Sequence, residues 1–364
     1  MRALLVLLFL LATPVQAASW PPFDSRQLAR GIHLLTMPDG YVGAAISNVT
    51  VIEQRDGMVV IDSGATAGHG RAIVGFVRSL GPKPVKALLI THWHNDHPLG
   101  ASELQRAWPH MRIIATQATR RHLAGKTLSL VGRQPDEKYD VAVWNQVSGT
   151  RAQFAQRRNL PDTSDEQRAR FDRATRELED FARSYPGTHI VVPTESFTDR
   201  LTIADPERPV ELRFFGRANT DGDALAWLPR QRIILTGDIV VAPLPFGFFS
   251  YPGEWIDVLA KVKALDFALL VPGHGAPQED SAYLDKLTVA LNDLRTQIGP
   301  MAREGLTLDE VRKRFDPARQ KAAFVTSPRL ERAFEANWLS PMIVNSWLEA
   351  RGQAFVQGDQ SLYK

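Results

Sequence analysis

The chain has 364 residues, 43 Lys and Arg against 40 Asp and Glu, a formal net charge of +3, and no cysteine. So even a balance is no nucleic-acid footprint, and the lack of thiols excludes disulfides, thiolate metal sites and lipid attachment through cysteine. At 44% hydrophobic and 23% charged residues the composition is that of an ordinary globular protein, long enough for one large domain or one domain with an accessory part.

The first stretch, MRALLVLLFLLATPVQA, has one early charge, Arg2, then an apolar run from Ala3 to Ala12 and small residues around Val15-Gln16-Ala17. It reads as a signal peptide cut after Ala17; an uncleaved anchor is the alternative, but the run is short for a bilayer. An exported chain without cysteine points to the periplasm or secretion, with no membrane contact after cleavage. Next, Gly31 to Met37 and Tyr41 to Glu53 read as strands joined at Pro38-Asp39-Gly40, and Met58 to Asp62 as a further strand. Taken alone, Asp62 can be an ordinary turn-capping acid. Gly68-His69-Gly70 opens a helix to about Leu80, too loose a glycine pattern for a phosphate site, with His69 on a solvent-facing loop.

The densest chemistry lies in Thr91-His92-Trp93-His94-Asn95-Asp96-His97-Pro98, the pattern H-x-H-x-D-H. Ala87 to Ile90 reads as a buried strand before it, and Pro98 as the first residue of a helix running to about 107. His92 and His94, two apart in extended chain, can share a face. Asp96 and His97 are adjacent and must diverge, which suits two neighbouring metals better than one. Imidazole and carboxylate are usual zinc ligands. A His-rich surface turn is the competing reading; it has no account of the acid and imidazole that end later strands.

Beyond the cluster come a strand at 112–115 and a helix at 117–125, with His110 and His122 read as surface histidines. Residues 126–187 form a helical insertion, with a capping box at Ser164-Asp-Glu-Gln167 and an apolar stripe of Phe171, Ala174, Leu178 and Phe181. Short strands come next at 189–192, 200–203, 210–215, 224–228 and 232–235, the last ending in Thr236-Gly237-Asp238. A helix at 255–265 and a strand at 267–271 lead to Pro272-Gly273-His274-Gly275. The tail from Asp280 is helical, its third stripe interrupted where Ser340 caps a new start at Pro341; core packing is the first reading, a dimer face or lid the second. Between Pro243 and Trp255, Phe246, Phe248, Phe249 and Tyr251 make either an aromatic pocket wall or a loop packed on the domain. Four strands thus end at Asp62, His92, Asp238 and His274, and strand ends along one edge are where sites collect.

Together these motifs, in this order over roughly residues 30 to 280, resemble the metallo-β-lactamase superfamily. The resemblance implies an α/β fold, a four-layer αββα sandwich, for a domain at 18–280, with the helical insertion and a helical C-terminal extension from 281 added. It implies a buried Asp62 supporting the metal loop and an early hairpin over the site. It also implies a second metal site of Asp96, His97, His274 and the shared Asp238. A first site would hold His92, His94 and Asp238, but Asn219 in Gly216-Arg217-Ala218-Asn219-Thr220-Asp221-Gly222-Asp223 stands where a third histidine is expected. An amide oxygen is a poor zinc ligand beside imidazole, so one or two zinc ions are expected, tighter at the second site. Asp221 or Asp223 could substitute, and iron or manganese would also suit the donors. The implied activity is hydrolysis of a small ester, lactone or amide, possibly a β-lactam, at its carbonyl by metal-activated water, with Asp96 handling the proton; no G-x-S-x-G motif offers a serine instead. The alternative is a periplasmic metal-binding accessory protein with little or no catalysis, which Asn219 favours.

Overall fold

The computed structural model describes residues 23–128, 130–353, 357 and 361–363; the expected leader lies outside them. Two sheets face each other. The first has seven strands in chain order: β1 Asp24–Ala29, β2 Ile32–Thr36, β3 Val49–Glu53, β4 Met58–Ile61, β5 Val85–Leu89, β6 Arg112–Thr116 and β7 Glu195–Phe197. It is antiparallel up to β4 and parallel beyond. The change comes from the connections: tight turns join β1 to β2 and β3 to β4 and a longer loop joins β2 to β3, whereas helical crossovers, among them α1 Ala67–Ser79 and α2 Ala101–Ala107, return the chain for parallel pairing. The second sheet runs β12-β11-β10-β9-β8, from β8 Arg200–Ile203, β9 Val210–Phe214, β10 Ala224–Leu228, β11 Ile233–Leu235 and β12 Leu269–Val271.

Strand alternation sorts the apolar side chains into layers. Val59 and Ile61 point between the sheets, where they meet Leu212, Ala226 and Leu235, while Met58 and Val60 pack outward with Ile73 and Val77 of α1. Leu225, Trp227 and Ile234 on the far side of the second sheet pack under α6 Pro252–Lys263 and α7 Ala282–Arg303. Three cores between four layers are the αββα sandwich that the sequence implies. The insertion contains α4 Glu137–Arg158 and α5 Asp165–Ser184, the latter with the expected capping box, after α3 Gln117–Ala124. Among the described residues no helix is long and apolar enough to cross a membrane.

Several local expectations need correction. β3 begins only at Val49, and residues 41–48 form a loop, with the Val42 amide donating to Glu177 of α5. Residues 189–192 pair with no strand; β7 starts at Glu195, where the Thr194 hydroxyl first accepts from the Ile113 amide. Pro98 lies in a turn, and α2 starts at Ala101. Pro341 does not restart a helix. α10 Pro328–Phe334 runs into α11 Ser340–Ala350 through a π-helical turn, Glu335–Leu339, and Ser340 makes no capping bond. Having no N–H, Pro341 leaves the carbonyl of Asn337 without its helical partner. The Gly247 amide donates to that carbonyl instead, at 2.8 Å. The missing helix bond thus becomes an anchor for the aromatic loop.

Candidate metal centre

The ends of β4, β5, β11 and β12 meet at one rim. The chain after β4 turns at Asp62, whose φ of 61° lies in the left-handed region that Asp tolerates better than most residues. From there its carboxylate accepts from the Thr91 amide at 2.8 Å, the Thr91 hydroxyl at 2.9 Å and His97 Nδ1 at 2.8 Å. Asp62 is therefore the buried support, not merely a turn cap. The backbone laces the same loops together: the Ser63 amide donates to the His97 carbonyl and the Leu99 amide to the Gly64 carbonyl. Across the interface, Asn48 Nδ2 donates to the carbonyls of Pro272 and Gly275, both at 2.9 Å, fixing the turn that carries His274. Glycine is required at Gly273, where a Cβ would collide with Asp238 Oδ1, and at Gly237, where it would press on the Thr91 side chain.

These supports bring the expected residues into two groups. His92, His94 and Asp238 each place a ligand atom within 4.8 Å of the others, as do Asp96, His97 and His274. His92 Nε2 lies 3.0 Å from His94 Nδ1 and 3.6 Å from Asp238 Oδ2. On the other side, His274 Nε2 lies 2.9 Å from Asp96 Oδ2, and His97 Nε2 3.6 Å from it. Asp238 Oδ1 lies 3.3 Å from His97 Nε2 and 3.5 Å from His274 Nε2. One oxygen of Asp238 therefore faces each group.

The donor set fits divalent metal. Ligand atoms 2.0–2.1 Å from a tetrahedral zinc stand about 3.3 Å apart, the spacing seen on both sides. Buried His97 Nε2, Asp238 Oδ1 and Asn219 Oδ1 have no hydrogen-bond partner; leaving such atoms unsatisfied costs about 1–3 kcal/mol each, which a cation removes for lone pairs. His97 gives its Nδ1 proton to Asp62, the arrangement that orients a ligating imidazole.

Electrostatics divides the histidines. Burial, then the neighbouring His97 and His94, holds His92 well below its ordinary pKa, and burial brings His94 down to about 4. Burial opposes protonation of His97 too, but Asp238, Asp62 and Asp96 outweigh it and hold that ring well above the ordinary value. His274 is raised in the same way by Asp238 and Asp96. For Asp96, burial is outweighed by His97 and His274, which hold it well below the usual carboxylate range. A cation binding here competes with protons for the same imidazole nitrogens.

A family profile described as the metallo-beta-lactamase superfamily matches residues 42–274. The chain belongs to the metallo-β-lactamase superfamily. A curated relative, linear primary-alkylsulfatase of Pseudomonas sp. (strain ATCC 19151), is 24% identical over 285 residues, covering 72% of this chain; the chain spans only 48% of that relative's length. A metallo-beta-lactamase from Pontibacter korlensis superposes with a TM-score of 0.52 at 16% identity, over 74% of this chain and 99% of that one. The DIM-1 metallo-beta-lactamase gives 0.49 at 15% identity, over 75% and 98%.

Around this superfamily centre, other expectations fare unevenly. Asn219 is fully buried beside it, its Nδ2 donating to the Asp238 carbonyl at 3.2 Å. Asp221 and Asp223 are engaged elsewhere. Asp221 pairs with His122 Nε2 at 3.0 Å, and Asp223 accepts from the Thr220 amide, with burial pushing its carboxyl up to about 7. His110 is exposed as expected, but His122 is half-buried, its ring 5.1 Å from that of Trp93. His69, expected in solvent, is fully buried in α1, with Nδ1 2.6 Å from the Thr66 hydroxyl. No local pattern marks it: Gly68 and Gly70 let Ser184 of α5 and Gly100 close over that end of the helix. The aromatic stretch divides as well. Phe246 and Phe249 line a cavity at the rim, whereas Trp255 is a core residue donating to the Ile239 carbonyl. The sequence reading missed Gln146 and Asn337, which also line that cavity.

Proposed function

We propose that this superfamily hydrolase is an exported zinc enzyme that cleaves a small ester, lactone or amide at its carbonyl. The observation that carries the reading is Asp238 facing both ligand groups while Asp96, in one of them, borders the open cavity. His92, His94, Asp238 and the Asn219 amide oxygen would hold a first ion; Asp96, His97, His274 and Asp238 would hold a second. Zinc at such a centre supplies Lewis acidity and lowers the pKa of a coordinated water to about 7. The protein's part is positioning and proton transfer. Asp96, held by His274 through Oδ2 and kept ionised, orients the attacking water and takes its proton on the carboxylate. As the new carbon–oxygen bond forms and the acyl bond breaks, that proton passes to the departing alkoxide or amine.

The test is zinc-loaded protein against chromogenic ester, lactone and β-lactam substrates, with Asp96→Asn as control. The reading requires turnover of at least one substrate and its loss in the variant. Hydrolysis that the variant leaves intact would sink the role of Asp96. Silence throughout would leave a metal-holding accessory protein, the reading Asn219 favours. The alkylsulfatase relative supports a second reading, hydrolysis of an alkyl sulfate, so octyl sulfate belongs in the same panel.

A further inference from the structure

The cavity beside the two ligand groups has a volume of about 690 Å³, the size that takes a drug-sized molecule. Its walls come from four places. Leu128 follows α3, Gln146 is on α4, Leu244, Phe246 and Phe249 follow Asp238, and Asn337 sits in the π-helical turn. Phe246 stands edge-on to His94 with ring centroids 5.6 Å apart, and Phe249 lies 5.6 Å from Trp93, so the aromatic wall begins where the ligands end. Leu130, 40% exposed, carries the apolar surface out to the mouth.

The charge of this lining is one-sided. Among the described residues it contains no Lys or Arg. Its carboxylates, Asp96 and Asp238, and its imidazoles, His94 and His274, belong to the ligand groups. What remains polar away from them is neutral: the amides of Asn95, Gln146 and Asn337 and the hydroxyl of Thr127. A second anionic group on a substrate would have to enter an apolar wall with no cationic partner, and an unpaired charge is poorly tolerated there.

Resting on the hydrolase reading, we infer that the site selects substrates whose body beyond the reacting group is apolar and uncharged, a medium-chain or ring-bearing neutral ester or lactone. The selection applies whether the reacting group is a carboxylic or a sulfate ester. It disfavours β-lactams that bear a carboxylate beside the ring.

The experiment uses the zinc-loaded full chain and aryl esters of rising length, 4-nitrophenyl acetate, butanoate and octanoate, with the suberate monoester as the octanoate's equal-length analogue bearing a terminal carboxylate. The parameter is kcat/KM, which unproductive binding of the free carboxylate leaves unchanged. It should rise by up to about fourfold per added methylene and fall about a hundredfold from octanoate to suberate. Asn337→Lys should narrow the octanoate-to-suberate gap about tenfold. Equal rates for the two long esters, or a preference for the suberate, would overturn the inference. Should neither these esters nor the lactone, β-lactam and octyl sulfate of the wider panel turn over, the hydrolase reading fails by itself. Calorimetric titration of acetamide, butanamide and octanamide then decides the pocket: affinity climbing with chain length upholds it, and a flat series rejects it.

Discussion

His92 and His97 face different oxygens of the same carboxylate, Asp238, but only His97 has an acid of its own behind it. Its Nδ1 is 2.8 Å from Asp62, whereas His92 Nδ1 meets the Thr91 hydroxyl at 3.1 Å. The groups differ in composition too. Two imidazoles and two carboxylates stand on the His97 side; on the His92 side two imidazoles and Asp238 are joined at best by the amide of Asn219. A neutral amide oxygen offers a divalent ion less charge and less softness than imidazole. One half of the centre is therefore braced and complete, and the other depends on what it shares.

The harshest way to break this contrast is to remove the shared part. Asp238→Ala should empty both groups, with zinc content by atomic absorption falling to background and kcat/KM dropping by about a thousandfold, several kcal/mol of lost transition-state stabilisation. Retention of one full equivalent of zinc would show that a group stands without Asp238. Asp62→Asn sharpens the contrast more gently, since Asn tolerates the left-handed backbone and keeps one acceptor. Losing the carboxylate behind a ligating imidazole should weaken zinc binding about 10–100-fold, measured by competition with a chromogenic chelator. The tighter ion should suffer most; equal weakening of both would mean that Thr91 passes the support of Asp62 on to His92 in full.

The ligand residues were legible in the sequence because their patterns are local, whereas the contrast between the halves came from the family resemblance, which alone assigns Asp62 its support role and marks Asn219 as standing in a histidine's place. H-x-H-x-D-H needs no tertiary knowledge, and Asp62, Asp238 and His274 each close an apolar run with glycine nearby. The strands and helical stripes were legible from their periodicity, and the resemblance supplied their arrangement in four layers. What escaped depends on distant partners. His69 is buried because α5 and Gly100 close over it, and neither is near it in sequence. Asn337 reaches the cavity because Pro341 frees its carbonyl for Gly247, 90 residues away. Pro341 was visible, but as a helix break; whether a proline breaks a helix or loosens one turn depends on what receives the orphaned carbonyl.

Asn219→His tests the incomplete half directly. If the first ion is weak for want of an imidazole, the wild-type protein should bind zinc in two steps at least about tenfold apart, and the variant should bring them together. Two equally tight ions in the wild type would remove the asymmetry at its source. Because Asn219 is fully buried and its Nδ2 donates to the Asp238 carbonyl, the larger ring must also displace its neighbours. A melting curve beside the titration separates misfolding from unchanged affinity.

The smallest effect is expected where the C-terminal segment meets the cavity wall. The Tyr363 hydroxyl donates to Asn345 Oδ1 at 2.7 Å and accepts from the Phe249 amide at 3.1 Å, while Asn345 Nδ2 donates to the Gly247 carbonyl at 2.7 Å. Together with the Gly247 bond to Asn337, this clasp holds the loop that carries Phe246 and Phe249, and none of its members is in either ligand group. Tyr363→Phe keeps the ring packed against Phe248 and Phe249 and removes only the hydroxyl. Two hydrogen bonds go with it, each worth about 1 kcal/mol, so the melting temperature should fall by about 4 °C. KM for an apolar ester should rise two- to threefold with kcat nearly unchanged, because the wall loosens while the metal ligands stay in place. A fall in kcat at constant KM would instead connect the C-terminal segment to the ligand groups themselves, and the division between a braced centre and an adjustable wall would no longer hold.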